Sequence, residues 1–130
     1  MRVRELLREA YTAYVLDEQS RAALAKQFPP KYPEFVGHHV TVQFGVPRDT
    51  AAPPAAKIEV VGYADSGDGL EALVVSVNGS TTRPDGKVYH ITWSLDRSKY
   101  KPVDSNALVM RGDWLAVDDA VVLTTPVVLN

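Results

Sequence analysis

Two segments of the chain repeat one pattern, a histidine, a β-branched apolar residue and a threonine, in HVTV (39–42) and HITW (90–93). In an extended strand, residues two apart share a face. His39, Thr41 and Gln43 then point one way, and Val40, Val42 and Phe44 the other. Likewise His90, Thr92 and Ser94 oppose Tyr89, Ile91, Trp93 and Leu95. Each strand has an apolar side suited to a core. Its other side carries imidazole and hydroxyl groups where lysine and glutamate are usual. An imidazole with an ordinary pKa near ~6.5 gives or takes a proton at neutral pH. A hydroxyl one pleat away can donate to an oxygen on which negative charge accumulates. Two such pairs amount to an acid, a base and two oxyanion donors.

Other uses of the same residues fit less well. A structural histidine accounts for either copy alone and poorly for both, because the chain has only three histidines. His38 precedes His39, so its side chain leaves on the opposite face, and a structural or rim role is expected for it. A zinc or iron site needs a third or fourth protein ligand. There is no cysteine, no H-E-x-x-H spacing, and no Asp or Glu on the polar faces of the two motif strands. No metal and no cofactor are therefore expected.

The elements that must position these groups fit in 130 residues, enough for one domain spanning 1–130. Hydrophobic residues make up 45% and charged residues 23%, so a core is available without disulfides. The net charge of −2 and the sequence pI of about 5.9 offer no basic track for long nucleic acid. No apolar run approaches the length of a membrane span, and MRVRELLREA lacks the apolar stretch of a secretory signal. No membrane association is expected, and the cytoplasm is the default location.

Val3, Leu6, Leu7 and Ala10 have the spacing of one face of a short amphipathic helix. A strand is expected at 11–17, followed by a helix over EQSRAALAKQF capped by Asp17 and ended by Pro29 and Pro30. HHVTVQFG reads as a strand. Residues 56–65 and 70–79 read as a hairpin around SGDG, and KVYHITWSL as a further strand. PVDSNALVM reads as a short helix capped by Asp104 or Ser105. RGDW reads as a turn, and DDAVVLTTPVVLN as one long or broken strand with Pro126 at an edge or bulge. The class is α+β, with antiparallel strands and two or three short helices.

The paired HVTV and HITW tetrads resemble the signature of the 2H phosphoesterase superfamily. That superfamily includes LigT-like RNA 2′,3′-cyclic phosphodiesterases, the cyclic phosphodiesterase domains of tRNA ligases, and phage anti-CBASS enzymes that open cyclic oligonucleotides. The resemblance implies two antiparallel-sheet lobes around a central cleft, each carrying one motif. It implies His39 and His90 as joint acid and base, and Thr41 and Thr92 as phosphate donors. The motifs lie 51 positions apart, closer than in larger members, so the second lobe must be trimmed. Arg83 and Lys87 before the second motif are candidates to hold phosphate. Tyr32, with Lys31, could stack a base or touch phosphate, and Tyr14 lies on a strand near the expected cleft. The implied activity is metal-independent hydrolysis of a cyclic phosphate or phosphodiester. The mild acidity favours a nucleotide or short oligonucleotide over long RNA. A non-catalytic nucleotide- or RNA-binding module built on the same cleft is the alternative. The oligomeric state is not encoded in any motif.

Overall fold

The computed structural model describes residues 10–130. The helix expected around Val3, Leu6 and Leu7 lies outside them, and Ala10 begins the first strand. The strands are β1 (Ala10–Leu16), β2 (Glu34–Phe35), β3 (His39–Val46), β4 (Ile58–Asp65), β5 (Leu70–Val77), β6 (His90–Leu95), β7 (Leu115–Val122) and β8 (Thr124–Leu129). The helices are α1 (Glu18–Gln27) and α2 (Ser105–Met110), the latter entered through a 3₁₀ turn at Pro102–Asp104. The class is α+β. Every strand pairing is antiparallel, in the order β7-β4-β5-β6-β3-β1-β8, with β2 on β6.

The C-terminal strand signal splits at Leu123. Its halves, β7 and β8, lie at opposite ends of that order, although only one residue separates them. The sheet must curl until its two edges nearly meet, and Leu123 sits at the seam. Its carbonyl accepts from the Asp17 amide (2.9 Å), and its own amide donates to Ser20 Oγ (2.9 Å). Pro126 fits because, among the described residues, β8 is an edge strand bonded only to β1. Inside the curl, Tyr14, Leu24, Val40, Ile58, Leu73, Ile91, Trp93 and Val122 form the main core. α1 contributes Leu24 to it. The Asp17 carboxylate accepts from Gln19 N (2.8 Å), capping that helix as its sequence predicts. A second cluster lies on the other face, where Leu108 and Val109 of α2 pack on Leu70, Ala72, Val74 and Leu95.

Both motif strands depart from simple alternation. Along β3 the register with β1 slips twice. Gln43 pairs with Thr12 but Thr41 with Ala13, and Val46 pairs with Ala10 but Phe44 with Tyr11. Val42 and Gly45 are the extra residues, and Gly45 takes the positive φ (+71°) that such a bulge favours. Phe44 is thereby turned out of its expected core side and is 71% exposed. Along β6 the slip falls at Trp93, between the pairs Glu71–Ser94 and Ala72–Thr92. Leu95 therefore joins the α2 cluster, and Ser94 leaves the face of His90 and Thr92. Ser94 is buried, bonding the Glu71 carboxylate and accepting from Tyr32 N (3.1 Å). The sequence-expected positions of Gln43, Phe44, Ser94 and Leu95 are corrected accordingly, because each bulge reverses the parity beyond it.

Candidate active site

β3 and β6 are neighbours, and the residue pair that joins them is Val40 with Ile91. These are the central residues of the two motifs. Both point into the core. In an antiparallel pair this register sets His39 opposite Thr92 and Thr41 opposite His90, all on the other face. Directly opposed residues have Cβ atoms about 4.5–5.5 Å apart and diagonal ones roughly 7–8 Å apart, and the two histidines are the diagonal pair. One cavity of ≈ 470 Å³ is lined by all four. Its volume lies in the usual range for a small-molecule site.

The approach to His39 is rigid by construction. Val36 N and Gly37 N donate to Trp93 O (2.9 Å) and Thr92 O (3.0 Å), and Leu16 N to His38 O (2.9 Å). Arg21 of α1 donates to the carbonyls of Val36 (3.1 Å) and Gly37 (3.1 Å), and stacks 3.8 Å from the Phe35 ring centroid. Gly37 has φ +49°, and a Cβ there would lie 2.6 Å from Phe35 Cε1. Only glycine fits.

The two imidazoles differ in their supports. His90 is 8% exposed, and its Nδ1 donates to Val88 O at 2.8 Å. In the neutral ring this leaves Nε2 as the acceptor. His39 Nδ1 lies 3.0 Å from His38 Nδ1, so one ring donates to the other. His39 Nε2 is a donor or an acceptor according to which does so, and either proton-transfer role is open to it. Burial, then the charges of His38 and His90, push the His39 imidazole down to about 4. Burial is also the largest influence lowering His90. Arg83 and Lys87 act in the same direction, against the Val88 hydrogen bond.

Thr92 Oγ1 lies 2.9 Å from Ser105 Oγ and donates to Pro102 O at 3.3 Å. The 3₁₀ turn and α2 thus grip the second motif directly. They also supply Pro102, Val103 and Asn106 to the cavity wall. Arg83 and Lys87 line the same cavity, as expected from sequence. His38 lines it too, at an exposed position, but its ring meets that of His39 instead of leaving on the opposite face, because His38 precedes the start of β3 and strand alternation does not reach it.

Tyr14 and Tyr32 are not brought there. Tyr14 is a core residue whose hydroxyl donates to Pro54 O (2.7 Å). Tyr32 donates to Asp65 Oδ1 (2.5 Å), and Lys31 Nζ bonds Asp65 Oδ2 (2.7 Å) on another part of the sheet. In their place stand Tyr11 and Phe44, whose rings stack with centroids 5.7 Å apart, Tyr11 lying 5.4 Å from His39. Tyr11 was visible as the aromatic start of a strand, but Phe44 required the bulges. Asn106 had no sequence signal.

Among the described residues, no group of three or more His, Cys, Asp or Glu side chains is placed to hold a metal ion. No helix among them is long and apolar enough to cross a membrane. Comparison of the chain with protein-family models, with curated proteins and with solved structures finds no match to any of them.

Proposed function

We propose that this protein is a metal-independent phosphodiesterase of the 2H type, acting on a cyclic phosphate or phosphodiester of a nucleotide or short oligonucleotide. The single observation that carries this reading is the Val40–Ile91 pairing, which gathers both His-x-Thr motifs on one wall of one cavity. The narrow junction between β3 and β6 also suits the two-lobed arrangement of that superfamily, with β7-β4-β5-β6 as one lobe and β3-β1-β8 as the other.

In the proposed reaction a phosphate lies over the four motif side chains. One imidazole removes a proton from water as its oxygen attacks phosphorus. The other protonates the ribose oxygen that leaves, so the proton count is conserved. Each such group is worth about 10²- to 10⁴-fold. Thr41 and Thr92 donate to the non-bridging oxygens. Ser105 can donate to Thr92 Oγ1 and fix its position, and the threonine proton then turns from its long bond to Pro102 O (3.3 Å) to the phosphate. The exposed Phe44 beside Tyr11 offers a stacking surface for a base, which supports a nucleotide over an inorganic or sugar phosphate.

The test is a panel of 2′,3′-cyclic nucleotides, cyclic oligonucleotides and cyclic-phosphate RNA ends, assayed in EDTA beside His39→Ala and His90→Ala. The expected result is turnover with a bell-shaped pH profile, reduced at least 100-fold by either substitution. Binding without turnover across the panel would instead select the non-catalytic nucleotide-binding module. That reading is favoured by the lowered pKa of both imidazoles, which leaves the site without a charged acid at neutral pH.

A further inference from the structure

Arg83 is an unusual cavity residue. It is only 5% exposed, yet its charge is poorly satisfied. A guanidinium has five N–H donors. Here one terminal nitrogen meets Asp85 Oδ2 at 2.7 Å and the other reaches Asn106 Oδ1 at a long 3.4 Å, while Nε is buried with no partner among the described residues. Leaving buried charged donors unmet is costly, and native structures rarely do so without a reason. The surroundings are built to hold the side chain in place regardless. Arg83 N donates to Lys87 O (2.7 Å), Asp85 Oδ1 accepts from Lys87 N (3.1 Å), and Asn106 Nδ2 donates to Val103 O (3.0 Å), which turns its Oδ1 toward Arg83. Asp85 offsets one positive charge, and Lys87, exposed on the same cavity, adds another. A net cationic flank remains.

The groups of this flank are distinct from the four motif side chains, although they line the same cavity. Thr41 and Thr92 already supply donors on the cavity floor. Arg83 lies in the loop before β6 and is tied to α2 through Asn106, whereas the Tyr11–Phe44 stack comes from β1 and β3.

We propose that Arg83, with Lys87 and Asn106, forms a second phosphate-binding subsite, so that the preferred substrate carries another phosphate next to the one hydrolysed. This inference rests on the nucleotide reading of the cavity and narrows it. A dinucleotide, a cyclic oligonucleotide or a 5′-phosphorylated cyclic nucleotide satisfies the subsite, and an unadorned nucleoside 2′,3′-cyclic phosphate does not. Arg suits this task because its fork bonds two phosphate oxygens at once.

Titration calorimetry with adenosine 3′,5′-bisphosphate and adenosine 3′-monophosphate tests the subsite without requiring turnover. A charged hydrogen bond of ordinary strength predicts about 10- to 100-fold tighter binding of the bisphosphate by the wild-type protein. That preference should fall to within about threefold in Arg83→Gln and be partly restored in Arg83→Lys. Lys87→Gln, whose exposed side chain does not threaten folding, should reduce it by about threefold. Equal affinity for the two nucleotides in the wild type, or a preference untouched by Lys87→Gln and Arg83→Gln, overturns the inference. The outcome is separable from catalysis. Bisphosphate preference without hydrolysis would refute the phosphodiesterase and keep the subsite. Hydrolysis dependent on His39 and His90 without bisphosphate preference would do the reverse.

Discussion

Replacing His39 by glutamine removes a titration that the fold itself has displaced. The folded protein holds this imidazole at about 4, chiefly by burial, against roughly 6.5 in an unfolded chain. Between those values the unfolded chain binds the extra proton, so stability falls as pH falls. The contribution is fully present above pH 6.5. It has shrunk by about 2 kcal/mol at pH 5 and about 3 kcal/mol at pH 4, and it levels off below that. For a domain whose total stability is of order 5–15 kcal/mol, this is a large fraction.

Carboxylates titrate in the same range, but they do so in both proteins. The informative quantity is therefore the difference between wild type and His39→Gln, measured by urea denaturation at pH 7, 5 and 4. The wild type should lose about 2 kcal/mol more than the variant between pH 7 and 5. The His39 ring resonances should titrate well below pH 6 in the folded protein. Parallel stability curves, or a ring that titrates near 6.5, would refute the claim that the cavity wall desolvates this histidine.

Three further substitutions probe the walls. Phe44→Ser should weaken nucleotide binding about 5- to 100-fold in calorimetry, the usual worth of a base-stacking surface, while leaving the urea midpoint nearly unchanged because the ring is exposed. Ser105→Ala removes the partner 2.9 Å from Thr92 Oγ1 and should lower kcat about fivefold in steady-state assays with little change in KM. Gly37→Ala forces a side chain into a left-handed conformation against Phe35, and should cost about 1–3 kcal/mol in urea denaturation and lower turnover through a displaced His39.

The sequence was legible where local signals agreed with the fold. Asp17 caps α1, the SGDG turn joins β4 to β5, and two His-x-Thr tetrads read as strands are strands. Alternation placed His39 and Thr41, and His90 and Thr92, correctly because each His-x-Thr triplet ends just before its bulge. It failed for Gln43, Phe44, Ser94 and Leu95, which lie beyond the slips at Val42 and Trp93. A bulge depends on which strand pairs with which, and a single strand's pattern does not carry that. The same holds for Tyr14 and Tyr32. Their chemistry suited a site, but the curl of the sheet assigns one to the core and the other to a network with Asp65. The break at Leu123 is legible only once β7 and β8 are seen to close the two ends of the sheet.

The lowered imidazoles have a consequence for how the proposed chemistry would start. A neutral pair can supply the base at once but has no charged acid at neutral pH. Both depressions are led by burial, and that penalty on the charged form is what an incoming anion offsets. A phosphate within about 4–6 Å favours the protonated ring, and such a pairing commonly moves a pKa by 1–3 units. Starting from about 4, His39 would rise toward 5–7 when phosphate sits beside it, so substrate binding should bring its own proton to the site. At His90 a phosphate on Arg83 and Lys87 would also cancel two of the charges that hold its imidazole down. Binding of adenosine 3′,5′-bisphosphate near pH 6 should therefore take up protons, visible as a dependence of the calorimetric enthalpy on the ionisation enthalpy of the buffer. The uptake should vanish above pH 8 and in a His39→Gln, His90→Gln double variant. Binding with no proton uptake at pH 6 would mean that the anion does not lie against the imidazoles, and the acid–base scheme would lose its acid.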